Sequence, residues 1–219
     1  GLRIRGSNIQ IGRSAHNIVV DHVSVSGGRY AGVYMYRGAH DVTVSWCLFG
    51  KTEAREAATL GDTSRMTLHH NLFATGTRRG PDISTPAAVK GQPAPREAQI
   101  DFRNNLVWGW GREDHGLRLR PGTRVNAVGN LFGANGGNKD AAIMAYNSSV
   151  KIFAAGNASA DAGGRNPDSV STERSAYPAP FVNTTDAFGA ARDVLSGAGM
   201  RPLDDVDREI LRGITLPIR

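Results

Sequence analysis

Between residues 18 and 157 the chain keeps returning to one pattern: apolar residues at alternate positions, a small or polar residue, then a short apolar pair closed by glycine or alanine. Clear copies are Ile18-Val19-Val20-Asp21-His22-Val23-Ser24-Val25 and Val42-Thr43-Val44-Ser45-Trp46-Cys47-Leu48-Phe49. Two more are Met66-Thr67-Leu68-His69-His70-Asn71-Leu72-Phe73 and Ile100-Asp101-Phe102-Arg103-Asn104-Asn105-Leu106-Val107. Weaker ones end on Asn130-Leu131-Phe132 and Gly156-Asn157. Val23, Cys47, Asn71, Asn105, Asn130 and Asn157 are equivalent, at spacings of 24, 24, 34, 25 and 27. Period-two alternation makes the units strands, and the repeat is too short for helix pairs. Strands recurring at this interval predict an all-β fold, a right-handed parallel β-helix (solenoid) with a short helical C-terminal tail. Each strand then pairs with its copy one turn on, and inward apolar side chains stack on their equivalents. A leucine-rich solenoid has a similar period, but its dense leucine consensus is absent.

Four asparagines, Asn71, Asn105, Asn130 and Asn157, share a column. An asparagine stack at a bend can satisfy backbone groups that the turn leaves unpaired, so a structural role is expected for them. The 34-residue spacing marks an insertion of ten residues between Phe73 and Gln99, containing Arg78-Arg79-Gly80-Pro81-Asp82 and Gly91-Gln92-Pro93-Ala94-Pro95. A Pro/Gly-rich loop on a rigid solenoid is a natural cleft wall. After Asn157 the repeat fades. Residues 1–160 are assigned to the coils, and 161–219 to an extended segment and short helices packing on them within the same domain. The Asn183-Thr184-Thr185-Asp186 stretch reads as a helix start, Gly197 and Gly199 as its end, and Pro202 to Leu211 as a second helix. This tail is expected to cover the open end or flank of the solenoid.

The 219 residues are globular in composition, with 27 glycines to serve many tight turns and a net charge of +6. Residues 1–159 hold 19 Lys+Arg against 11 Asp+Glu, and residues 160–219 hold 7 against 9. The cationic surface therefore belongs to the repetitive body, and it favours a polyanionic partner. No nucleic-acid motif accompanies the charge. No apolar run approaches the ~18 residues of a membrane span, so no membrane partner is expected, and the chain is expected to act as a monomer. The single cysteine, Cys47, excludes an intrachain disulfide. Gly1-Leu2-Arg3-Ile4-Arg5 reads as the middle of a strand pattern, and an upstream segment bearing any export signal is expected before it.

Adjacent residues on a strand point to opposite faces, so His69 and His70 are expected to diverge, one packed and one on the surface, which argues against a shared metal; Asp21 and His22 read the same way. Asp114-His115, with Glu113, reads as solvated loop charge that could border a cleft. Trp46, Trp108 and Trp110 are candidates either to stack on sugar rings or to pack under a loop. A hydrolase of polygalacturonase type would need clustered aspartates on neighbouring strands. The only Asp-Asp pair, Asp204-Asp205, lies in the tail.

Four stretches resemble the pectate lyases of polysaccharide lyase family 1, particularly a bacterial branch. Asn17-Ile18-Val19-Val20-Asp21-His22 looks like that family's "N-V-W-I-D-H" strand, and Val42-Thr43-Val44-Ser45-Trp46 like the strand after it. Thr67-Leu68-His69-His70-Asn71-Leu72-Phe73, with Arg79-Gly80-Pro81 eight residues beyond Asn71, is similar to "T-F-H-H-N-x-F … R-x-P". Asp193 to Gly199 and Asp204 to Ile210 resemble the branch's C-terminal helical signature. The resemblance implies β-elimination on an acidic galacturonan (pectate or pectin), by an extracellular or periplasmic protein. It implies Arg79 as the base that removes the proton α to the uronic carboxylate, an unusual role for a group that normally stays protonated. Arg78, Lys51 and Arg55 become the expected contacts to substrate carboxylates.

The likeness breaks where calcium would sit. Calcium is the usual cofactor of the family, held by carboxylates from adjacent coils. Here the corresponding stretches read Gly6-Ser7-Asn8-Ile9 and Gly27-Gly28-Arg29-Tyr30-Ala31-Gly32, with no acid in either. The family's lysine falls near Glu56, with Lys51 and Arg55 beside it, and the second arginine of "R-x-P-x-x-R" is Ser84. Cofactor dependence is thus left open. Arg29 or Arg13 could take the cation's place, as arginine does in pectin lyases, or the solenoid could be an inactive module that binds an acidic polysaccharide.

Overall fold

The computed structural model describes residues 9–28, 31–50, 56–61, 63–74, 80–84, 98–111 and 114–217, with the side chains of Glu56 and Ala98 excepted. Each coil contributes three strands. The first coil supplies β1 (Ile9–Ile11), β2 (His16–Asp21) and β3 (Ser24–Ser26), and the second β4 (Ala31–Met35), β5 (His40–Ser45) and β6 (Leu48–Gly50). Then come β7 (Glu56–Gly61), β8 (Ser64–His69) and β9 (Leu72–Ala74), followed by β10 (Asp82–Ser84), β11 (Ala98–Arg103) and β12 (Leu106–Trp108). The last two sets are β13 (Leu117–Leu119), β14 (Thr123–Val128) and β15 (Leu131–Gly133), then β16 (Ile143–Ala145), β17 (Lys151–Ala155) and β18 (Ala158–Ser159).

Every third strand joins the same parallel sheet. Sheet A runs β1-β4-β7-β10-β13-β16, sheet B runs β2-β5-β8-β11-β14-β17, and sheet C runs β3-β6-β9-β12-β15-β18. The protein is a right-handed parallel β-helix, as the repeat predicts. Inward residues form continuous stacks: Ile18, Val42, Met66, Ile100, Val125 and Ile152 on sheet B, and Val25, Phe49, Phe73, Val107 and Phe132 on sheet C. The Phe49 and Phe73 rings stack at 5.3 Å and the Phe73 and Phe102 rings at 5.8 Å.

The bend from sheet B to sheet C is built from two adjacent columns. His22, Trp46, His70, Asn104, Gly129 and Gly156 all have φ between 48° and 68°, a left-handed residue at the same point of every coil. The next column is the asparagine ladder. Asn105 Oδ1 accepts from Asn71 N and Nδ2, both at 3.0 Å, while its own Nδ2 donates to Leu68 O at 2.9 Å and Asn130 Oδ1 at 3.1 Å. Asn71 and Asn130 repeat the arrangement on their own coils. The ladder ends on Asp168, whose Oδ1 accepts from Asn157 Nδ2 at 2.6 Å. Asp168 belongs to a 3-10 turn, Pro167–Val170, and just beyond it the Ser171 and Thr172 hydroxyls accept from Ala154 N and Ile152 N. Strand edges of the final coil are thereby closed.

Two helices form where the sequence predicts them. Helix α1 (Ala187–Gly197) is capped by Asp186, which accepts from Phe188 N and Gly189 N, and α2 (Asp205–Arg212) by Asp204, which accepts from Asp207 N. They cover the outer side of sheet C, where Leu48, Leu72, Leu106 and Leu131 form an outward column. All four leucines are buried against a set that includes Ala187, Ala191, Val194 and Ile210. At roughly 1.5–3 kcal/mol per buried leucine, this is why the tail docks there. The segment leading to α1 crosses sheet B instead: Tyr177 N donates to Asn126 Oδ1, Gln99 Nε2 donates to Pro178 O, and Thr185 N donates to Asn104 Oδ1.

Candidate functional site

With the tail engaging sheets B and C, sheet A is the face left to carry function. Its inward positions are apolar (Val33, Met35, Leu60, Ile83, Leu117, Leu119), and alternation sends the others outward. The register aligns Gln10, Tyr34, Thr59, Asp82, Arg118 and Met144 in one outward column. One step along lies a second: Gly12, Tyr36, Gly61, Ser84, Arg120 and Tyr146, held by bonds such as Tyr36 N to Ile11 O, Arg120 N to Ile83 O and Tyr146 N to Leu119 O. Arg120 thus sits one coil beside Ser84, the position where the second arginine of the motif is missing.

The centre of this face is an ion triad. Asp82 Oδ2 accepts from Arg118 Nη2 and from Arg120 Nη2, the latter at 3.1 Å, and Asp82 Oδ1 accepts from Arg120 Nε at 3.2 Å. The Asp82 and Arg118 side chains are only 6% and 5% exposed, whereas Arg120 is 43% exposed. Burial pushes the Asp82 carboxyl up, but the two guanidinium partners outweigh it and hold the group below its ordinary value. Two guanidiniums against one carboxylate leave the triad cationic. Aromatic rings flank it along the solenoid axis. Tyr34 and Tyr36 stack at 4.7 Å, with the Arg37 guanidinium 5.8 Å from the Tyr36 ring, and on the far side the Arg120 guanidinium lies 6.0 Å from the Tyr146 ring. Gly12 makes room for Tyr36, since a Cβ there would sit 2.7 Å from the ring.

The four residues that the family likeness singles out, Arg79, Arg78, Lys51 and Arg55, lie outside the described residues, as does Arg29. The residue next to Arg79, Gly80, is firmly held. Gly80 N donates to His115 O at 3.0 Å, and a Cβ on Gly80 would stand 1.7 Å from Gly116 O. Only glycine fits that approach, so the chain is held at a fixed point where Gly80 leads into β10. The repeat spacing alone puts Asp82 in the inserted loop; it belongs instead to β10, paired with Thr59 and Arg118. Arg13 is exposed in the turn after β1 at φ 56°, a turn residue between sheets A and B.

Among the described residues, sheet A offers calcium no carboxylate cage. Among the described residues Asp82 is the one carboxylate in the outward columns of sheet A, and both its oxygens are committed to arginine. A hard divalent cation needs several oxygens, and the described residues contain no cluster of three or more His, Cys, Asp or Glu that could hold a metal.

Several sequence expectations are corrected. His69 and His70 do not diverge, because the left-handed φ of His70 turns its ring back toward His69, and the two Nδ1 atoms stand 3.0 Å apart. His22 likewise meets Asp21, Nδ1 to Oδ2 at 2.6 Å. The rings of the left-handed column then stack, His22 on Trp46 at 5.9 Å and Trp46 on His70 at 4.4 Å. Burial and the neighbouring His69 push His70 down to about 4, so the pair packs as neutral imidazoles. Trp108 and Trp110 are buried, the latter donating from Nε1 to Asn138 O at 2.8 Å, so neither offers a sugar platform. His115 is half-buried, and its carbonyl holds Gly80.

A groove of about 390 Å³ lies on sheet B between Thr43, Thr67 and Gln99 on one side and Pro178–Pro180 on the other. Its charged residues are Asp41, Arg65 and Asp101, with Arg65 bound to Asp41 at 2.6 Å and Asp101 bound by Arg103 at 2.7 Å. With both carboxylates paired to arginine the groove carries little net charge and gives a polyanion no pull comparable to that of the cationic triad on sheet A.

The fold is a parallel β-helix similar to that of solved pectate lyases. A pectate lyase from Bacillus sp. N165, solved with trigalacturonate, superposes at a TM-score of 0.57 with 19% identity, covering 90% of this chain and 71% of that one. A pectate lyase studied for its substrate specificity and anti β-elimination mechanism gives 0.63 at 16% identity, covering 90% and 54%. An arginine-to-lysine variant of the Bacillus subtilis pectate lyase gives 0.63 at 10% identity, covering 91% and 65%. The chain therefore spans from about half to about seven-tenths of the length of these neighbours. No family model and no curated protein matches the sequence.

Proposed function

We propose that the protein is a polysaccharide lyase that cleaves an acidic galacturonan by β-elimination. The observation that supports this best is the cationic, tyrosine-flanked strip on sheet A, set immediately after the Arg79-Gly80-Pro81 segment on the architecture that pectate lyases share. In the reaction the C–H bond α to the uronic carboxylate breaks, its electron pair becomes the new C=C bond, and the neighbouring glycosidic oxygen leaves and takes up a proton. Arg79 is the group assigned to remove the proton, with Arg78, Lys51 and Arg55 neutralising the carboxylate as enediolate charge develops. The reading places the protein outside the cytoplasm, in the extracellular or periplasmic space where such polymers are met, acting as a monomer. Among the described residues, no helix is long and apolar enough to cross a membrane.

Incubation with polygalacturonate and with methylated pectin, each with and without Ca²⁺, tests the reading through the ultraviolet absorbance of the unsaturated product. Product that disappears in Arg79→Ala supports catalysis. Binding of polygalacturonate with no product in any condition rejects catalysis and leaves a binding module. The lack of a carboxylate cage among the described residues of sheet A is the observation that favours this second reading.

A further inference from the structure

We propose that the groove on sheet B is a second carbohydrate-binding site, one that takes a neutral glycan rather than a uronate chain. One wall is the strap Pro178-Ala179-Pro180. The floor is the outward column of sheet B, in which Val19, Thr43, Thr67 and Asp101 stand one per coil. The strap is pinned where it passes. Asn126 Oδ1 accepts from Tyr177 N at 2.8 Å, Asn126 Nδ2 donates to Tyr177 O at 3.0 Å, and Gln99 Nε2 donates to Pro178 O. The wall is therefore in place before a ligand arrives, and a volume of about 390 Å³ falls within the ~300–1,000 Å³ of small-molecule sites.

The lining selects the ligand. Its charged groups satisfy one another: Arg65 binds both oxygens of Asp41, each at 2.6 Å, while Arg103 and Asn126 bind Asp101. A uronate carboxylate entering here would shed water and meet only arginines already neutralised by carboxylates, an unfavourable exchange. The Thr43 and Thr67 hydroxyls and Gln99 Oε1, by contrast, have no hydrogen-bond partner among the described residues. They suit sugar hydroxyls, which both donate and accept. Thr43 and Thr67 lie on adjacent coils, about 4.8 Å apart, a distance comparable to one sugar ring. An extended peptide fits less well. It would bind by adding a strand, and Pro178 and Pro180 have no N–H to give it. Their apolar rings instead match the C–H face of a pyranose.

Amide chemical-shift mapping with cellotetraose, xylotetraose and β-1,4-galactotetraose tests the proposal, with trigalacturonate and an uncharged octapeptide as counter-ligands. At least one neutral sugar is expected to shift Thr43, Thr67 and Gln99 at millimolar concentration, and neither counter-ligand is. The isosteric double variant Thr43→Val/Thr67→Val, checked for folding by circular dichroism, is expected to bind that sugar about tenfold more weakly through the loss of two hydrogen bonds. Its turnover of polygalacturonate is expected to match wild type. Silence in this groove with all three sugars, shifts with the peptide alone, or wild-type affinity in the folded double variant overturns the site while leaving the lyase reading on sheet A standing. Equal shifts here from trigalacturonate overturn the selection for a neutral glycan.

Discussion

Substituting Asn105 by alanine removes the middle rung of the asparagine ladder, and the structure gives the size of the effect. The side chain is wholly buried and makes four hydrogen bonds, two accepted from Asn71 and one donated each to Leu68 O and Asn130 Oδ1. Alanine leaves the buried Asn71 N–H without its acceptor and Leu68 O without that donor. Each orphaned group costs about 1–3 kcal/mol, so Asn105→Ala is expected to lose about 4 kcal/mol, with a further contribution from the space left behind. Against a total of about 5–15 kcal/mol for a typical domain, this is a large share. Urea unfolding followed by tryptophan fluorescence measures it, with the exposed Asn183→Ala as a control expected to change stability by less than about 0.5 kcal/mol. A loss for Asn105→Ala below about 1 kcal/mol would mean that the turn satisfies its backbone by another route.

Three further outcomes are expected from the same geometry. Cys47 occupies the ladder position one coil above Asn71, but its thiol offers Val23 N only a 3.5 Å contact, and burial raises that thiol to about 11; Cys47→Asn is expected to add about 1 kcal/mol by supplying a proper amide acceptor, and a net loss in urea unfolding contradicts this. Asp82→Asn strips the carboxylate from a buried guanidinium and is expected to cost about 3 kcal/mol, most of it recovered when Arg118→Met is added; simple additivity in the double-mutant cycle argues against the pairing. Because the Asp82 pKa is lowered on folding, the stability it contributes is present above the unfolded value of 3.8 and is lost as the pH falls through the folded one, a limb that Asp82→Asn lacks. His70, pushed from 6.5 to about 4, binds its proton more readily in the unfolded chain, so stability falls by about 3 kcal/mol between pH 6.5 and 4. His70→Asn, which tolerates the left-handed backbone, should flatten that part of a pH–stability curve, and an unchanged slope refutes the assignment.

Much of the fold is legible in the sequence because stacking turns a one-dimensional repeat into a three-dimensional one. The period-two runs give the strands, the asparagine column gives the bend, and Asp186 and Asp204 before apolar-periodic segments give the helix caps. The side-chain directions at His22 and His70 are not legible, because strand alternation stops at a residue whose φ is positive. A signal is nonetheless present: the same point of later coils is Asn104, Gly129 and Gly156, residue types that favour that conformation. The ion triad escapes notice because the irregular insertion separates Asp82 from Arg118 and Arg120 by 36 and 38 positions. Leu117-Arg118-Leu119-Arg120, read as a strand, does put both arginines on one face, and pairing it with Pro81-Asp82-Ile83-Ser84 would reveal the triad. Trp108 and Trp110 mislead because the sequence shows an aromatic pair beside glycine but not the depth at which it packs.

The lyase reading requires sheet A to be the face that meets the polysaccharide. Amide chemical-shift mapping during a trigalacturonate titration tests this directly. Perturbations centred on Thr59, Ser84, Arg120 and Tyr146 are the predicted result. Shifts centred on Thr43, Thr67 and Gln99 of sheet B, or along helix α1, with sheet A unmoved, would contradict it.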